Sequence, residues 1–302
     1  MKKGVKNLAI AAAVGVAATG LLVGCKTEDP KPYIQVSGLD TGYLVGQDIN
    51  LEGAKILYYS DKNDKTADEI TLQESMIANF STEQAGEKVM KVLWNGFELE
   101  IDYSVVTNTD FINAYNTAYE NFMNATDIHA DMRAISNDGV QCGGAEISNN
   151  KYYDYAGIEG EEISLEHWIQ KEGDIWYVYE KEEDGYFKEI CSMIVNDNVN
   201  EYVYESLVMM ENQEIDEVIF NQFEDIEYNI NGTKTILSFK INGGEGLQKI
   251  KLTIEDGKFV EVENYFFEDG SSEEIDFSLY TSISYNAEDV NMVDLPTNVD
   301  WQ

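Results

Sequence analysis

The residues best suited to acid–base or metal chemistry in this 302-residue chain are its two histidines, His129 and His167. Neither has a second His or Cys at the spacing that a zinc site uses, so we predict no metal ligand. The sequence holds no Gly-x-Ser-x-Gly segment, and its glycine pairs at 143–144 and 243–244 lack the lysine of a phosphate-binding loop. We therefore predict no catalytic residue and no cofactor, which is the pattern of a protein that is not an enzyme.

Carboxylates are too numerous to mark a site by themselves. The chain has 57 acids against 20 bases, a formal charge of −37, which excludes nucleic-acid binding through clustered Lys and Arg. General acid–base catalysis needs one buried carboxyl with a raised pKa beside a second one that stays ionised, and the sequence singles out no such pair. The acidic segments 61–65 and 196–198 lack the spacing of a calcium-binding EF-hand and are expected to be ordinary turns.

The start of the chain predicts a secretory signal peptide over residues 1–24. Three lysines precede an apolar run from Leu8 to Val23, a layout typical of a signal and too short to span a bilayer comfortably. The run ends in Leu22-Val23-Gly24-Cys25, which resembles the bacterial lipobox. In that family the chain is cleaved before the cysteine, whose thiol carries diacylglycerol beside an N-terminal acyl chain such as palmitate. The alternative is an uncleaved anchor helix with a chance cysteine.

This resemblance implies a lipoprotein anchored through Cys25 to the extracytoplasmic face of a cell membrane, in a Gram-positive bacterium, with residues 25–31 as a tether. Cleavage removes three lysines and no acid, so the mature chain keeps 17 bases and 57 acids, a charge of −40. That charge repels anionic headgroups, and two acyl chains are enough to hold a protein at a membrane.

The two remaining cysteines, Cys142 and Cys191, leave two possibilities open. Outside the cytoplasm a pair of thiols can oxidise to a disulfide. Alternatively, both are buried and reduced and act as small apolar residues.

Residues 32–107 predict a β-sandwich made of short strands separated by turns. Alternating apolar residues flank Asn95-Gly96, which is a strong signal for a type I′ hairpin. The stretch resembles the group 3 bacterial Ig-like domains, and the segments that carry the resemblance are Tyr43-Leu44-Val45-Gly46-Gln47, Ala85-Gly86, Asn95-Gly96 and Tyr103-Ser104-Val105. The resemblance implies a spacer or adhesion module without catalytic residues.

Residues 108–302 predict a second domain of α+β type. Apolar residues from Phe111 to Met123 fall on one helical stripe, for which Thr109 or Asp110 is the expected N-cap, and a further helix is predicted over 206–223. Turn signals then recur every 12 or 13 residues, at 231–232, 243–244, 256–257 and 269–270. This regular spacing predicts an antiparallel meander with helices on its concave face.

The second domain resembles the lipoprotein-carrier (LolA/LolB-like) superfamily in the order of its elements, in Lys249 to Ile254 with Asp256-Gly257-Lys258, and in the closing Leu295-Pro296. The resemblance implies a curved half-barrel with covering helices that holds an acyl chain or another apolar ligand. Candidate ligand-facing residues are Leu237, Phe239, Leu252 and Phe277, which otherwise belong to an ordinary core.

Aromatic residues between 152 and 179 form a second candidate binding surface, in which Trp168 and Trp176 are the largest side chains. Exposed aromatics mark contacts with glycans or proteins, whereas the alternative is ordinary strand propensity. We therefore expect a mainly β, membrane-anchored, non-enzymatic lipoprotein whose partners are the membrane, reached through its lipid, and an apolar or lipid ligand in the C-terminal domain. The alternative is a structural or adhesive surface protein that contacts an envelope protein or glycan and has no small-molecule pocket.

Overall fold

The computed structural model describes residues 31–302, apart from positions 62, 138, 162, 183–184, 193, 195–196, 212, 244–245, 268–274, 298 and 302. The predicted signal peptide, Cys25 and the turn at 269–270 lie outside the described residues. Across the described part of the chain, no helix combines the length and the apolar character that crossing a membrane requires.

The residues before 107 form two small sheets that enclose one core. The strands are β1 (Tyr33–Ser37), β2 (Gly42–Leu44), β3 (Lys55–Tyr59), β4 (Asp68–Thr71), β5 (Ile77–Ala78), β6 (Gly86–Trp94) and β7 (Phe97–Val106). One sheet has the order β1-β3-β4 and the other β2-β7-β6-β5. Ile56 from the first sheet and Met90 and Tyr103 from the second meet in a shared apolar cluster. The predicted Asn95-Gly96 hairpin is present, with φ angles of 45° and 84°.

The residues after 107 form one large antiparallel sheet, which is curved and not closed. Its elements are α1 (Asn108–Met123), β8 (Asp127–Ser136), β9 (Gly139–Ser148), β10 (Lys151–Ile158), β11 (Ile163–Glu172), β12 (Ile175–Glu182), β13 (Gly185–Ile190), α2 (Val199–Val208), α3 (Glu217–Phe220), β14 (Glu224–Asn231), β15 (Lys234–Gly243), β16 (Gly246–Glu255), β17 (Lys258–Phe267) and β18 (Ile275–Ser284). The strand order is β13-β12-β11-β10-β9-β8-β18-β17-β16-β15-β14. The mainly β fold with a curved antiparallel sheet and covering helices is therefore confirmed.

Helix α1 begins where the last strand of the small sheets ends, without a linker. Its N-cap is Thr107, two residues earlier than the sequence predicted, because the Asp110 carboxylate accepts a hydrogen bond of 2.7 Å from the backbone N–H of Thr107. The predicted apolar stripe is confirmed, since Phe111, Tyr115 and Phe122 are all buried.

The prediction of one continuous helix over 206–223 is wrong. Helix α2 ends at Val208, and α3 covers only Glu217–Phe220. Met209 adopts a left-handed conformation with φ 56° and ψ 38°, which stops α2. Asp216 then starts α3 by accepting hydrogen bonds from the N–H groups of Val218 and Ile219. Apolar spacing alone did not reveal this break, because the residues on both sides of it face the same core.

The small sheets join the large one at its β14 edge through Gln47. The side-chain oxygen of Gln47 accepts hydrogen bonds of 2.9 Å from the N–H of Leu44 and from the N–H of Tyr228 on β14. Its Nε2 donates to Asn229 Oδ1 at 2.9 Å. Close approach at this point needs a glycine, because a Cβ on Gly42 would lie 2.4 Å from Ile230. One glutamine thus satisfies backbone groups on both sides of the junction.

We predict that Gln47→Ala lowers the free energy of unfolding by about 1–3 kcal/mol, since it strands partly buried donors and acceptors at the junction. Urea unfolding followed by intrinsic fluorescence measures the change. The control is Gln35→Ala on β1, where the side chain is exposed; an equal loss in both variants would contradict a special role for Gln47.

Candidate functional site on the concave face of the large sheet

Helices α1 and α2 cover one half of the concave face, which is the face of the large sheet on the helix side. The β16–β17 turn holds α1 in place, since Asn121 Nδ2 donates to the Gly257 carbonyl at 2.8 Å. Above the neighbouring strand ends, the Tyr115 ring lies 5.7 Å from the ring of Phe259. Gly257 has a φ of 72°, and a Cβ there would lie 3.3 Å from Asn121 and Thr117. The helices therefore sit over the strand ends beside this turn.

Three of the predicted ligand-facing residues lie beneath this helical cover. Leu237 and Leu252 are paired across β15 and β16, and both are fully buried, as is Phe239. The Phe239 ring stacks on Phe223 with centroids 4.3 Å apart and meets Phe111 at 5.9 Å. In this structure the protein's own side chains fill the space that these residues face.

The other half of the concave face is lined by apolar side chains that are less completely covered. In the cross-strand rows, Phe266 pairs with Phe277 and Leu279 pairs with Ala134. The two phenylalanine rings lie 5.4 Å apart, and both residues are half-buried. We call this surface the concave trough; its residues are Met132, Ala134, Leu165, Phe266, Phe277 and Leu279. It contains Phe277, the fourth of the candidate ligand-facing residues that the sequence analysis placed in the meander.

A polar trio of Gln248, Asn264 and Thr281 lies at the boundary between the covered half and the concave trough. All three residues are buried, and Asn264 is 0% exposed. Gln248 Nε2 donates to Asn264 Oδ1 at 3.0 Å and reaches the Met209 carbonyl, at the end of α2, at 3.5 Å. Asn264 Nδ2 and Thr281 Oγ1 have no hydrogen-bond partner. The sequence did not mark these residues, because isolated polar positions in a strand carry no signal for a site.

His167 also lies on the concave face, between two carboxylates. Its Nδ1 is 2.9 Å from Asp154 Oδ1, and its Nε2 is 3.7 Å from Glu180 Oε1. The Tyr152 hydroxyl donates to the other oxygen of Asp154 at 2.8 Å. Burial, and then the negative charge of Asp154, raises the pKa of the neighbouring Tyr202 to about 12. The imidazole is thus held between two carboxylates in a row that crosses three strands.

Strand alternation divides the predicted aromatic surface between the two faces of the sheet. Trp176 points into the large core on the concave side, and its Nε1 donates to Asp197 Oδ1 at 2.8 Å. Tyr153, Trp168 and Tyr179 instead form a separate cluster on the convex side. The two tryptophans named from the sequence therefore do not share a surface.

The C-terminal residues 286–297 and 299–301, which we call the C-terminal strap, cover this convex cluster. Trp168 Nε1 donates to the Val293 carbonyl at 3.0 Å, and the Trp301 ring meets Tyr179 and Tyr186 edge-on at 5.0 and 5.3 Å. A cavity of about 190 Å³ lies between the strap and strands β9 to β11. Trp168 is 4% exposed, so the strap removes this aromatic surface from solvent.

His129 helps to fix the strap on the convex face. Its Nδ1 lies 2.9 Å from Glu146 Oε1, and the other oxygen of this buried carboxylate accepts a 3.2 Å hydrogen bond from the Asn291 N–H of the strap. Burial lowers the pKa of His129, but the hydrogen bond and charge of Glu146, with the charge of Asp131, outweigh it and raise that pKa above its usual value.

Of the two possibilities left open for Cys142 and Cys191, the structure has the second, in which both cysteines are free. Cys142 lies at a convex position of β9, three residues from Ala145, which belongs to the core beneath the helices. Cys191 is part of that same concave core. The sheet itself therefore separates the two sulfurs.

One serine–lysine spacing, Ser148-Asn149-Asn150-Lys151, has the pattern of a Ser-x-x-Lys nucleophile. In this structure it forms the β9–β10 hairpin, and the Ser148 hydroxyl donates to Asp127 Oδ1 at 2.7 Å. A serine committed to a carboxylate in a hairpin does not have the serine–lysine contact of an activated nucleophile. Among the residues that the structure describes, no three His, Cys, Asp or Glu side chains are grouped to hold a metal ion.

Comparisons with known proteins find similarity only among solved structures. No protein-family model matches the sequence, and no curated protein sequence does. The solved structures similar to this chain include the lipoprotein LppX of Mycobacterium tuberculosis, with 13% identity, a TM-score of 0.38, and coverage of 64% of this chain and 100% of that one. They also include a DUF1329 family protein of Desulfovibrio piger, with 9% identity, a TM-score of 0.24, and coverage of 57% of this chain and 90% of that one.

We predict that His129 makes stability depend on pH in the neutral range. Because its pKa is raised in the folded state, its contribution is fully present below the unfolded value of about 6.5 and is lost as pH rises through the folded pKa. Thermal unfolding from pH 6 to pH 9 should show a fall in melting temperature that is absent from His129→Gln. A parallel fall in both proteins would rule out His129 as its source.

Proposed function

We propose that this chain is a membrane-anchored extracytoplasmic lipoprotein, without enzymatic activity, that holds an apolar or lipid ligand in its C-terminal unit. The ligand lies in the concave trough, against Phe266, Phe277 and Leu279. The lipid on Cys25 supplies the membrane attachment, and the small sheets form the part of the protein nearest to the bilayer.

The observation that carries this proposal is the unequal covering of the concave face. Beneath α1, residues such as Leu237, Phe239 and Leu252 are 0% exposed, whereas Phe266 and Phe277 on the same face are only half-buried. A curved apolar surface with a few polar groups at its margin is the usual form of a small-molecule site. The covered half forms a rigid boundary beside the trough, since the side chains of the covered half are already packed.

The geometry gives no support to a catalytic alternative. Each histidine lies beside two carboxylates, His129 with Glu146 and Asp131, and His167 with Asp154 and Glu180. These contacts restrain the imidazoles within their own sheet.

Anchoring through Cys25 is supported by the short path between that residue and the first strand. Strand β1 begins at Tyr33, so the tether has room for an extended span of roughly 25 Å at about 3.3 Å per residue. The sandwich is then held close to the bilayer surface, and the junction at Gln47 fixes the C-terminal unit relative to it.

A second candidate function, that of a structural or adhesive surface protein, is favoured by one specific observation. The cavity of about 190 Å³ beneath the C-terminal strap and the open cleft beside His129 and Ser282 both lie outside the concave trough. If the trough does not bind lipid, the sandwich and the large sheet serve as packed modules that contact other envelope components.

We predict that the lipid-free mature chain binds the neutral fluorophore Nile red and that acyl chains displace it. Phe277→Asp should weaken this binding at least about tenfold, because it places a charge in the apolar trough. The matched control is Tyr280→Asp, on the same strand but on the convex face and 36% exposed. Fluorescence titration measures both variants.

An equal effect of the two substitutions would mean that Nile red binds through non-specific hydrophobic contact. Native mass spectrometry of the purified chain provides a second readout, in which co-purifying lipid should be present for the Tyr280→Asp protein and lost from the Phe277→Asp protein. Complete absence of lipid and of Nile red binding from the unaltered chain would favour the structural role.

We predict that Cys25→Ser releases the protein from the membrane fraction and abolishes incorporation of labelled palmitate. Cys142→Ser serves as the matched control and should leave both unchanged, since that cysteine lies on a strand of the large sheet. A Cys25→Ser protein that stays in the membrane would instead indicate an uncleaved anchor helix.

A further inference from the structure

The polar trio has two atoms whose hydrogen-bonding capacity the fold leaves unused. Asn264 Nδ2 is a donor and Thr281 Oγ1 is both donor and acceptor, and neither has a partner. Asn264 is 0% exposed and Thr281 is 3% exposed, so solvent does not compensate them. Buried polar side chains are paired in the large majority of folded proteins, so two adjacent exceptions need a physical reason.

The strand register places the two residues diagonally across from each other on one face of the sheet. Asn264 on β17 lies opposite Leu279 on β18, and Thr281 is the next residue of β18 on the same face. Thr281 in turn lies opposite Met132 on β8. Both Leu279 and Met132 belong to the concave trough, so the unpaired donor and hydroxyl sit directly at the inner end of its apolar lining.

Gln248 determines which group of Asn264 is left free. Its Nε2 donates to Asn264 Oδ1 at 3.0 Å, which occupies the carbonyl oxygen of the asparagine. The amide of Asn264 is thereby oriented with Nδ2 as the unused group, which can only donate. The complementary ligand group is consequently a hydrogen-bond acceptor.

The surrounding charges indicate that this acceptor is neutral. The charged side chains on the concave strands nearest the trough are the carboxylates of Asp154 and Glu180, which bracket His167. The basic side chains of the adjoining strands, Lys251 and Arg133, alternate to the convex face, where each pairs with a glutamate. An anionic headgroup would meet two carboxylates whose basic neighbour, His167, is already engaged by both of them.

We infer that Asn264 and Thr281, oriented by Gln248, form a subsite for the ester or similar neutral carbonyl of a lipid whose acyl chain lies in the concave trough. This inference rests on the proposed function. Asn264 Nδ2 and the Thr281 hydroxyl donate to the carbonyl oxygen, and Phe266, Phe277 and Leu279 contact the chain beyond it. The protein thus distinguishes a neutral lipid ester from a bare hydrocarbon and from a fatty-acid anion.

Displacement of Nile red from the full mature chain by methyl oleate, 1-octadecene and oleate tests the subsite. Methyl oleate should displace the dye at a concentration about tenfold lower than 1-octadecene, as expected for one or two neutral hydrogen bonds. Oleate at pH 8 should also be the weaker ligand. Asn264→Leu and Thr281→Val should each reduce the preference for the ester over the hydrocarbon to near unity while binding of 1-octadecene is retained.

The matched control is Thr253→Val, which removes a buried threonine hydroxyl from the neighbouring strand β16. Thr253 precedes Ile254, a residue of the concave core, and so lies on the opposite face. Its substitution should leave the preference for the ester unchanged. Thermal unfolding adds an independent readout for Thr281→Val, because removing an unpaired polar group should leave its melting temperature unchanged or raised. Asn264→Leu also removes the acceptor of the Gln248 hydrogen bond, so its melting temperature is not part of this test.

Two outcomes would overturn the subsite, and they differ from the failure of lipid binding itself. If the unaltered chain binds methyl oleate and 1-octadecene equally, or if both variants keep the preference for the ester, lipid binding stands and the subsite is wrong. If neither compound displaces Nile red and no lipid is bound, the proposed function fails and the subsite fails with it.

Discussion

The packing of α1 against the large sheet is the interaction on which the rest of the C-terminal unit depends. A helix of 16 residues is about 24 Å long, whereas eleven strands at about 4.8 Å spacing span roughly 50 Å. One such helix, with the shorter α2 beside it, cannot cover the whole concave face. The aromatic stripe of α1 completes a dense core over part of this face, and apolar residues such as Phe266 and Phe277 are left half-buried beside that core.

The edge strands of the large sheet also need to be covered, since a free edge strand can pair with other chains. The β14 edge is covered by β2, with Thr41 N–H donating to the Ile230 carbonyl at 2.9 Å and the Gln47 side chain bonding to the next residues of β14. Leu44 from β2 reaches into the core of the large sheet. The small sheets thus protect one edge of the large sheet from pairing with other chains.

The sequence predicted those features that depend on local periodicity. The stripe from Phe111 to Phe122 and the hairpin at Asn95-Gly96 were both found because their spacing is set within one element. The sequence did not predict that Trp168 and Trp176 lie on opposite faces of the sheet. Their faces depend on the register in which the β11–β12 hairpin pairs. The break at Met209 was missed because a left-handed residue other than glycine or asparagine leaves no composition signal. The half of the face to which a strand residue belongs is decided by helices placed far away in sequence, so Phe239 and Phe277 looked alike before the structure was known.

Buried asparagine side chains are hydrogen-bonded beneath the helices and at the junction, whereas the Nδ2 group of Asn264 beside the trough is not. In the covered half, the Asn200 side chain on α2 donates to the carbonyls of Phe122 and Ala125 at 2.8 and 3.0 Å, which ties α2 to the end of α1. At the junction, Asn229 accepts from Gln47. Asn264 is just as deeply buried, yet its Nδ2 is unpaired, at a cost of about 1–3 kcal/mol for an unsatisfied group. On the same face, the flanking residues Val262 and Phe266 of β17 and the opposite Leu279 of β18 are apolar, so the polar side chains of Asn264 and Thr281 stand out. The subsite that we infer at the inner end of the trough would supply the partner that these two side chains lack.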